Sequence, residues 1–180
     1  EEHVEAINRR GLEIKGAYKG RYKLHATKNL SETGINAKAL ILITTKAYDL
    51  KASILGIRES LRSDTTLLLL QNGYGNKDLV EGILGAGVMV VRGLVSTGVE
   101  FLKPGIIDVK FTGEAVLPES PTGRRIKELF ESCGLETRLA KDMDYEVWKK
   151  LCINCVINPL TAILRVPNNR IAVESLEWAR

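Results

Sequence analysis

Three short apolar runs limit the fold of this chain more than any other feature. They are Ala39 to Thr45 (A-L-I-L-I-T-T), Thr65 to Gln71 (T-T-L-L-L-L-Q) and Val88 to Arg92 (V-M-V-V-R). Each is about the length of one strand, and none alternates apolar with polar. A strand without alternation is apolar on both faces, which suits a parallel sheet covered by helices on both sides. Helix patterns fill the gaps, from about Tyr48 to Leu61 and from about Lys77 to Leu84. Alternation of strand and helix predicts a doubly wound α/β domain. In such sheets ligands bind outside the carboxyl ends of the strands. Lys46 follows the first run, the loop Asn72-Gly73-Tyr74-Gly75-Asn76 follows the second, and Ser96-Thr97-Gly98-Val99 lies just past the third. The two glycines of the middle loop permit positive φ and close approach of backbone to a ligand.

The flanking sequence is less regular. His3 to Arg10 reads as a helix closed by Gly11. Leu12 to Ile14 and Tyr22 to Ala26 read as short strands. Glu100 to Leu117 reads as antiparallel strands at a sheet edge, Pro121 to Cys133 as an amphipathic helix, and Leu135 to Leu139 as a last strand. Near Lys141 the alternation stops. A helix from Asp142 to Ile157 follows, with Asp142 as its cap. The expected organisation is thus an α/β domain over residues 1–141 and the start of a helical domain over 142–180. Glu174 to Arg180 reads as the beginning of another helix.

On the Asp142 helix, Lys150, Asn154 and Asn158 recur every four residues. Each such step turns by roughly 40° and climbs roughly 6 Å, so the three polar heads form one slowly drifting stripe. Leu151, Ile153, Val156 and Ile157 occupy much of the remaining circumference, which predicts a buried helix. Buried polar heads need partners, and a polar ligand is one source of them. A solvated stripe, or one satisfied by backbone, fits the same spacing. Asn158 precedes Pro159, so it is expected at a helix end or kink.

Composition excludes other classes. The chain is 44% apolar and 27% charged, with net charge +4, which is ordinary for a globular protein. Its mild basicity suits a small anion. Only 6% of residues are aromatic and no basic cluster dominates, so a nucleic-acid module is not indicated. No apolar run approaches the roughly 18 residues of a membrane span. Three cysteines make no disulfide framework and point to a reducing, cytoplasmic setting. Cys152 and Cys155 lack a second ligand pair and read as packing residues rather than metal ligands.

The string W-K-K-L-C-I-N-C-V-I-N-P-L-T-A-I over residues 148–163 resembles the signature of ketopantoate reductases (2-dehydropantoate 2-reductases). The phrase H-V-E-A-I-N-R-R-G-L near the start resembles the same family, and the likeness runs in register to about Arg170. It implies a partial Rossmann-like nucleotide-binding domain followed by the start of an all-α C-terminal domain, as in 6-phosphogluconate dehydrogenase-like folds. It implies NADPH-dependent reduction of 2-dehydropantoate to pantoate, toward pantothenate and coenzyme A, with NADH left open. Lys150 matches the family's proton donor. Asn154 and Asn158 match substrate-holding asparagines, and Asn168 after Pro167 a further substrate contact. Lys46 and Val99 match cofactor contacts, and Asn72 lies between cofactor and substrate. The implied partner is a small molecule, with neither nucleic acid nor membrane, and a full-length homodimer is allowed. No G-x-G-x-x-G turn opens a helix here, since Gly82-x-x-Gly85-x-Gly87 ends one. The chain is therefore expected to be a fragment that turns over weakly or not at all alone. Two alternatives stay open: a sister 2-oxo acid reductase, and a non-catalytic binding or dimerisation module.

Overall fold

Leu67, Leu68 and Leu69 are each fully buried, and they alternate between two different cores. That is the physical meaning of the unbroken apolar run: the strand is covered on both faces. The computed structural model describes residues 1–33 and 38–166. In chain order the elements begin with α1 (Glu2–Arg10), β1 (Leu12–Gly16), β2 (Gly20–Tyr22), β3 (Leu40–Ile43), α2 (Leu50–Ile57), β4 (Thr66–Leu69) and α3 (Asn76–Leu84). They continue with β5 (Met89–Arg92), β6 (Leu94–Val95), β7 (Gly98–Lys103), β8 (Ile106–Phe111), β9 (Ala115–Pro118), α4 (Pro121–Ser132), β10 (Thr137–Ala140) and α5 (Met143–Leu164).

The three apolar runs form one parallel sheet in the order β3-β4-β5, with Leu40 opposite Thr66 and Thr66 opposite Met89. Leu67, Leu69 and Val90 pack against Leu50 and Ile54 of α2 and Val80 of α3. Leu68 and Val91 face the other way, onto Leu117 of β9 and Ile126 and Phe130 of α4. Ser120 caps α4 by accepting from the amide of Gly123 at 3.0 Å, and Pro121 opens its first turn.

Two further sheets flank this one. Strands β10, β9 and β6 form a three-stranded sheet. The order β2-β1-β8-β7 makes a four-stranded sheet in which β1 runs parallel to β8, a pairing that joins residues about ninety positions apart in the chain (Glu13 to Ile106). The second strand of the first hairpin is Gly20–Tyr22, so the expected strand at Tyr22 to Ala26 is displaced. Asn8 of α1 instead holds that segment, donating to and accepting from the backbone of Ala26 at 2.7 and 2.8 Å.

The helix carrying the polar stripe differs from its sequence reading in three ways. It runs to Leu164, through Pro159, instead of ending near Ile157. Proline costs it the hydrogen bond to the carbonyl of Cys155. Cys155 lies on the exposed side of the helix, where a freed carbonyl is accessible to solvent. Second, the helix is largely exposed rather than buried: only Val147 is in a core, while Ile153, Val156 and Ile163 are open to solvent. Cys152 and Cys155 are exposed as well, so they do not pack as expected. Third, α5 is 22 residues with a mean hydropathy of 1.2 over its best window, which is long and apolar enough by length and composition to cross a membrane. The expectation that no segment reached that length overlooked a helix whose polar positions are spread along one stripe.

Candidate functional site

The Asn72 loop after β4, strand β6 with Ser96 and Thr97 after it, Val116 of β9, Arg138 of β10 and one face of α5 line a cleft of about 460 Å³. Four side chains singled out from sequence line it together: Asn72, Lys150, Asn154 and Asn158. The loop after β4 supplies Asn72. Gly73 and Gly75 adopt φ of +100° and +78°, conformations that a Cβ would strain, and Gly75 sits at the N-terminus of α3. Asn76 closes the loop on itself, donating to the carbonyl of Asn72 at 3.1 Å.

Several contacts fix α5 beside that loop. Asp142 caps the helix, accepting from the amide of Tyr145 at 2.9 Å. Val147 packs with Leu94, Val116 and Ala140. Arg138 of β10 grips both carboxylate oxygens of Glu146 at 2.8 and 3.0 Å, and reaches Glu114 at 3.3 Å. Trp148 meets Tyr74 of the glycine loop with ring centroids 5.0 Å apart. Lys150 comes one turn after Glu146 and donates to the carbonyl of Val95 at 2.5 Å.

The electrostatics of the cleft are uneven. Burial, and then the positive charge of Arg92, hold the Lys150 ammonium below the usual lysine value. Hydrogen bonding from Arg138 holds the Glu146 carboxyl below the usual glutamate range. Arg92 is buried, and burial pulls its guanidinium down to about 10. It stays charged at neutral pH.

The remaining predicted site residues fall elsewhere. Lys46 is exposed in the turn after β3, at the same carboxyl end of the sheet, but does not line the cleft. Val99 is exposed on β7, where it pairs with Val109, and is not a cleft residue either. Asn168 lies outside the described residues. Sequence reasoning missed Glu114, Arg138 and Lys149, which line the cleft, and Arg92, which holds the backbone on either side of Asn72. A charge closing an otherwise apolar run was the available signal for Arg92. The i,i+4 spacing of Glu146 and Lys150 was the signal for the helix wall.

Fold and cleft together define a class: an α/β, Rossmann-like chain whose strand ends face a helix bearing a half-buried lysine and two asparagines. Two family models match. The one described as "Ketopantoate reductase PanE/ApbA" covers residues 1–122, and "Ketopantoate reductase PanE/ApbA C terminal" covers residues 142–179. The 2-dehydropantoate 2-reductase of Pyrococcus horikoshii is 34% identical over 175 residues, which is 94% of this chain and 56% of that protein. The crystal structure of a PanE/ApbA family ketopantoate reductase from Ralstonia eutropha superposes with a TM-score of 0.84 at 27% identity, over 95% of this chain and 56% of that one. The 2-dehydropantoate 2-reductase structure from Geobacter metallireducens gives a TM-score of 0.81 at 25% identity, over 94% of this chain and 57% of that one. This chain belongs to the ketopantoate reductase family, and it spans about half the length of the relatives it matches.

Proposed function

We propose that this chain carries the proton-donating and substrate-holding part of an NADPH-dependent reductase that converts 2-dehydropantoate to pantoate, a step toward pantothenate and coenzyme A. One observation carries the reading: Asn72, Lys150, Asn154 and Asn158, drawn from two distant segments, converge on one cleft.

The residues present suit the nicotinamide end of a dinucleotide. Exposed Lys46 and Asn72 both follow parallel strands at the carboxyl edge, where such ligands bind. A bound nicotinamide would supply hydride to the ketone carbon. Every other task falls to side chains of the chain itself. The Lys150 ammonium has three N–H donors, and one is spent on Val95. The other two remain to meet the ketone oxygen, stabilise the charge that grows on it and deliver its proton. Asn154 and Asn158 offer amide donors and acceptors to the substrate's hydroxyl and carboxylate oxygens. Lys149, also at the cleft, adds positive charge that suits a carboxylate substrate. Asn72 aligns ring and ketone from the facing loop. We place the enzyme in the cytoplasm, with its exposed cysteines reduced.

The test follows nicotinamide absorbance with the complete gene product containing this chain. It offers 2-dehydropantoate beside a panel of other 2-oxo acids, with NADPH and NADH in turn. A kcat/KM highest for 2-dehydropantoate with NADPH supports the assignment. Preference for another 2-oxo acid, or for NADH, would reassign substrate or cofactor within the same chemistry.

A further inference from the structure

Arg92 ends β5, and its guanidinium is buried without a carboxylate partner among the described residues. All its hydrogen bonds go to backbone carbonyls. Nη1 donates to Leu69 at 3.0 Å and to Gly93 at 2.9 Å. Nη2 donates to Gln71 at 2.5 Å and to Gly73 at 3.1 Å. One planar fork thus ties together the end of β4, both neighbours of Asn72 and the exit of β5. A buried unpaired cation is expensive, and a merely structural staple would not require a charge. The charge has a second neighbour. Second to burial, the positive charge of Arg92 also disfavours the charged form of Lys150.

We infer that Arg92 is a positioning residue of this site: its four-carbonyl fork locks the Asn72 loop to the two strands beside it. The inference rests on the reductase reading for its catalytic consequence. The charged groups around Lys150 are Arg92 of β5, Glu114 at the start of β9, Arg138 of β10, and Glu146 and Lys149 of α5. Arg138 engages both carboxylates, so neither is free to offset Arg92. The charge favours release of the Lys150 proton, which is what a donor to a developing alkoxide must do.

The experiment compares wild type, Arg92→Lys and Arg92→Met. In each, ¹³C NMR of labelled lysines in the 180-residue chain reads the Lys150 midpoint, with Lys150→Arg assigning the signal. Steady-state kinetics on the complete gene product reads the basic limb of kcat/KM. Arg92→Lys keeps a charge but loses the fork. It is expected to leave the Lys150 midpoint near wild type while kcat/KM falls by about 10- to 100-fold through the loosened Asn72 loop. Arg92→Met loses both, so the midpoint and the basic limb both move up toward the ordinary lysine value. A folded Arg92→Met protein with an unmoved midpoint overturns the charge role, and unchanged kcat/KM in Arg92→Lys overturns the anchoring role. Should Arg92→Met fail to fold, Arg92→Gln, which keeps amide donors without the charge, takes its place, and an unmoved midpoint in it overturns the charge role. If no 2-oxo acid is reduced, the reductase reading fails while the NMR titration still decides the inference.

Discussion

Lys150 is half-buried, engaged by one carbonyl and opposed by a buried cation, and each of these facts bears on its proton. Its folded value lies below the unfolded one, so the unfolded state binds the proton more tightly. Keeping Lys150 charged therefore weakens the fold below the lowered value, and the penalty disappears as pH rises toward the ordinary lysine value. On the proposed reading catalysis runs the opposite way, because a donor must be protonated. We predict that kcat/KM falls as pH rises through the lowered Lys150 value, earlier than an unperturbed lysine would allow. A pH–rate profile of the complete gene product, flat through that range, would contradict this. At this scale the sequence was informative wherever spacing placed groups on one helix face: Lys150, Asn154 and Asn158 share a cleft as their four-residue period required. Arg92 was legible only as a charge closing an apolar run. Its importance comes from four carbonyls brought to it by folding, and a terminal arginine on an apolar run reads as a solvated end.

At the scale of elements, β4 was the most legible piece. A short run of leucines with no polar break suits a strand covered on both sides, and Leu67, Leu68 and Leu69 are fully buried on such a strand. The parallel pairing of β1 with β8 was not legible, because nothing local records a partner about ninety residues away. The length of α5 was misjudged because Pro159 is a strong breaker in a buried helix and a weaker one on an exposed face. Its attachment depends on Arg138 and Glu146. The Glu146 carboxyl is held below its ordinary value, so its contribution is complete above that ordinary value. It is lost as pH falls through the lowered one. We predict that α5 loosens from the sheet in acid. Trp148 fluorescence in a Trp178→Phe background should report a transition in the acid range, and Glu146→Gln should remove its pH dependence. A transition identical in both proteins would show that α5 is held by Val147 packing alone.

At the scale of the whole molecule, α5 presents Ile153, Val156, Leu160 and Ile163 to solvent, and β7 and β8 present Phe101 and Phe111. Exposed large apolar side chains in this number favour association. The 180-residue chain should therefore self-associate in light scattering. Val156→Asp with Ile163→Asp should reduce that without moving the Lys150 midpoint. A wild-type chain that remains monomeric at high concentration would contradict the prediction. The same faces explain why the stripe was legible and the burial was not. Sequence reports which residues are apolar, and only the fold reports whether something covers them.

The central claim is that Lys150 donates the proton in a reduction for which the rest of the cleft supplies binding. The most direct measurement compares wild type with Lys150→Ala in the complete gene product, reading NADPH binding by fluorescence and 2-dehydropantoate turnover by absorbance. Loss of the proton donor should lower kcat by about 10²- to 10⁴-fold while NADPH affinity stays within a few-fold of wild type. A Lys150→Ala protein that binds NADPH and turns over at the wild-type rate would contradict the account.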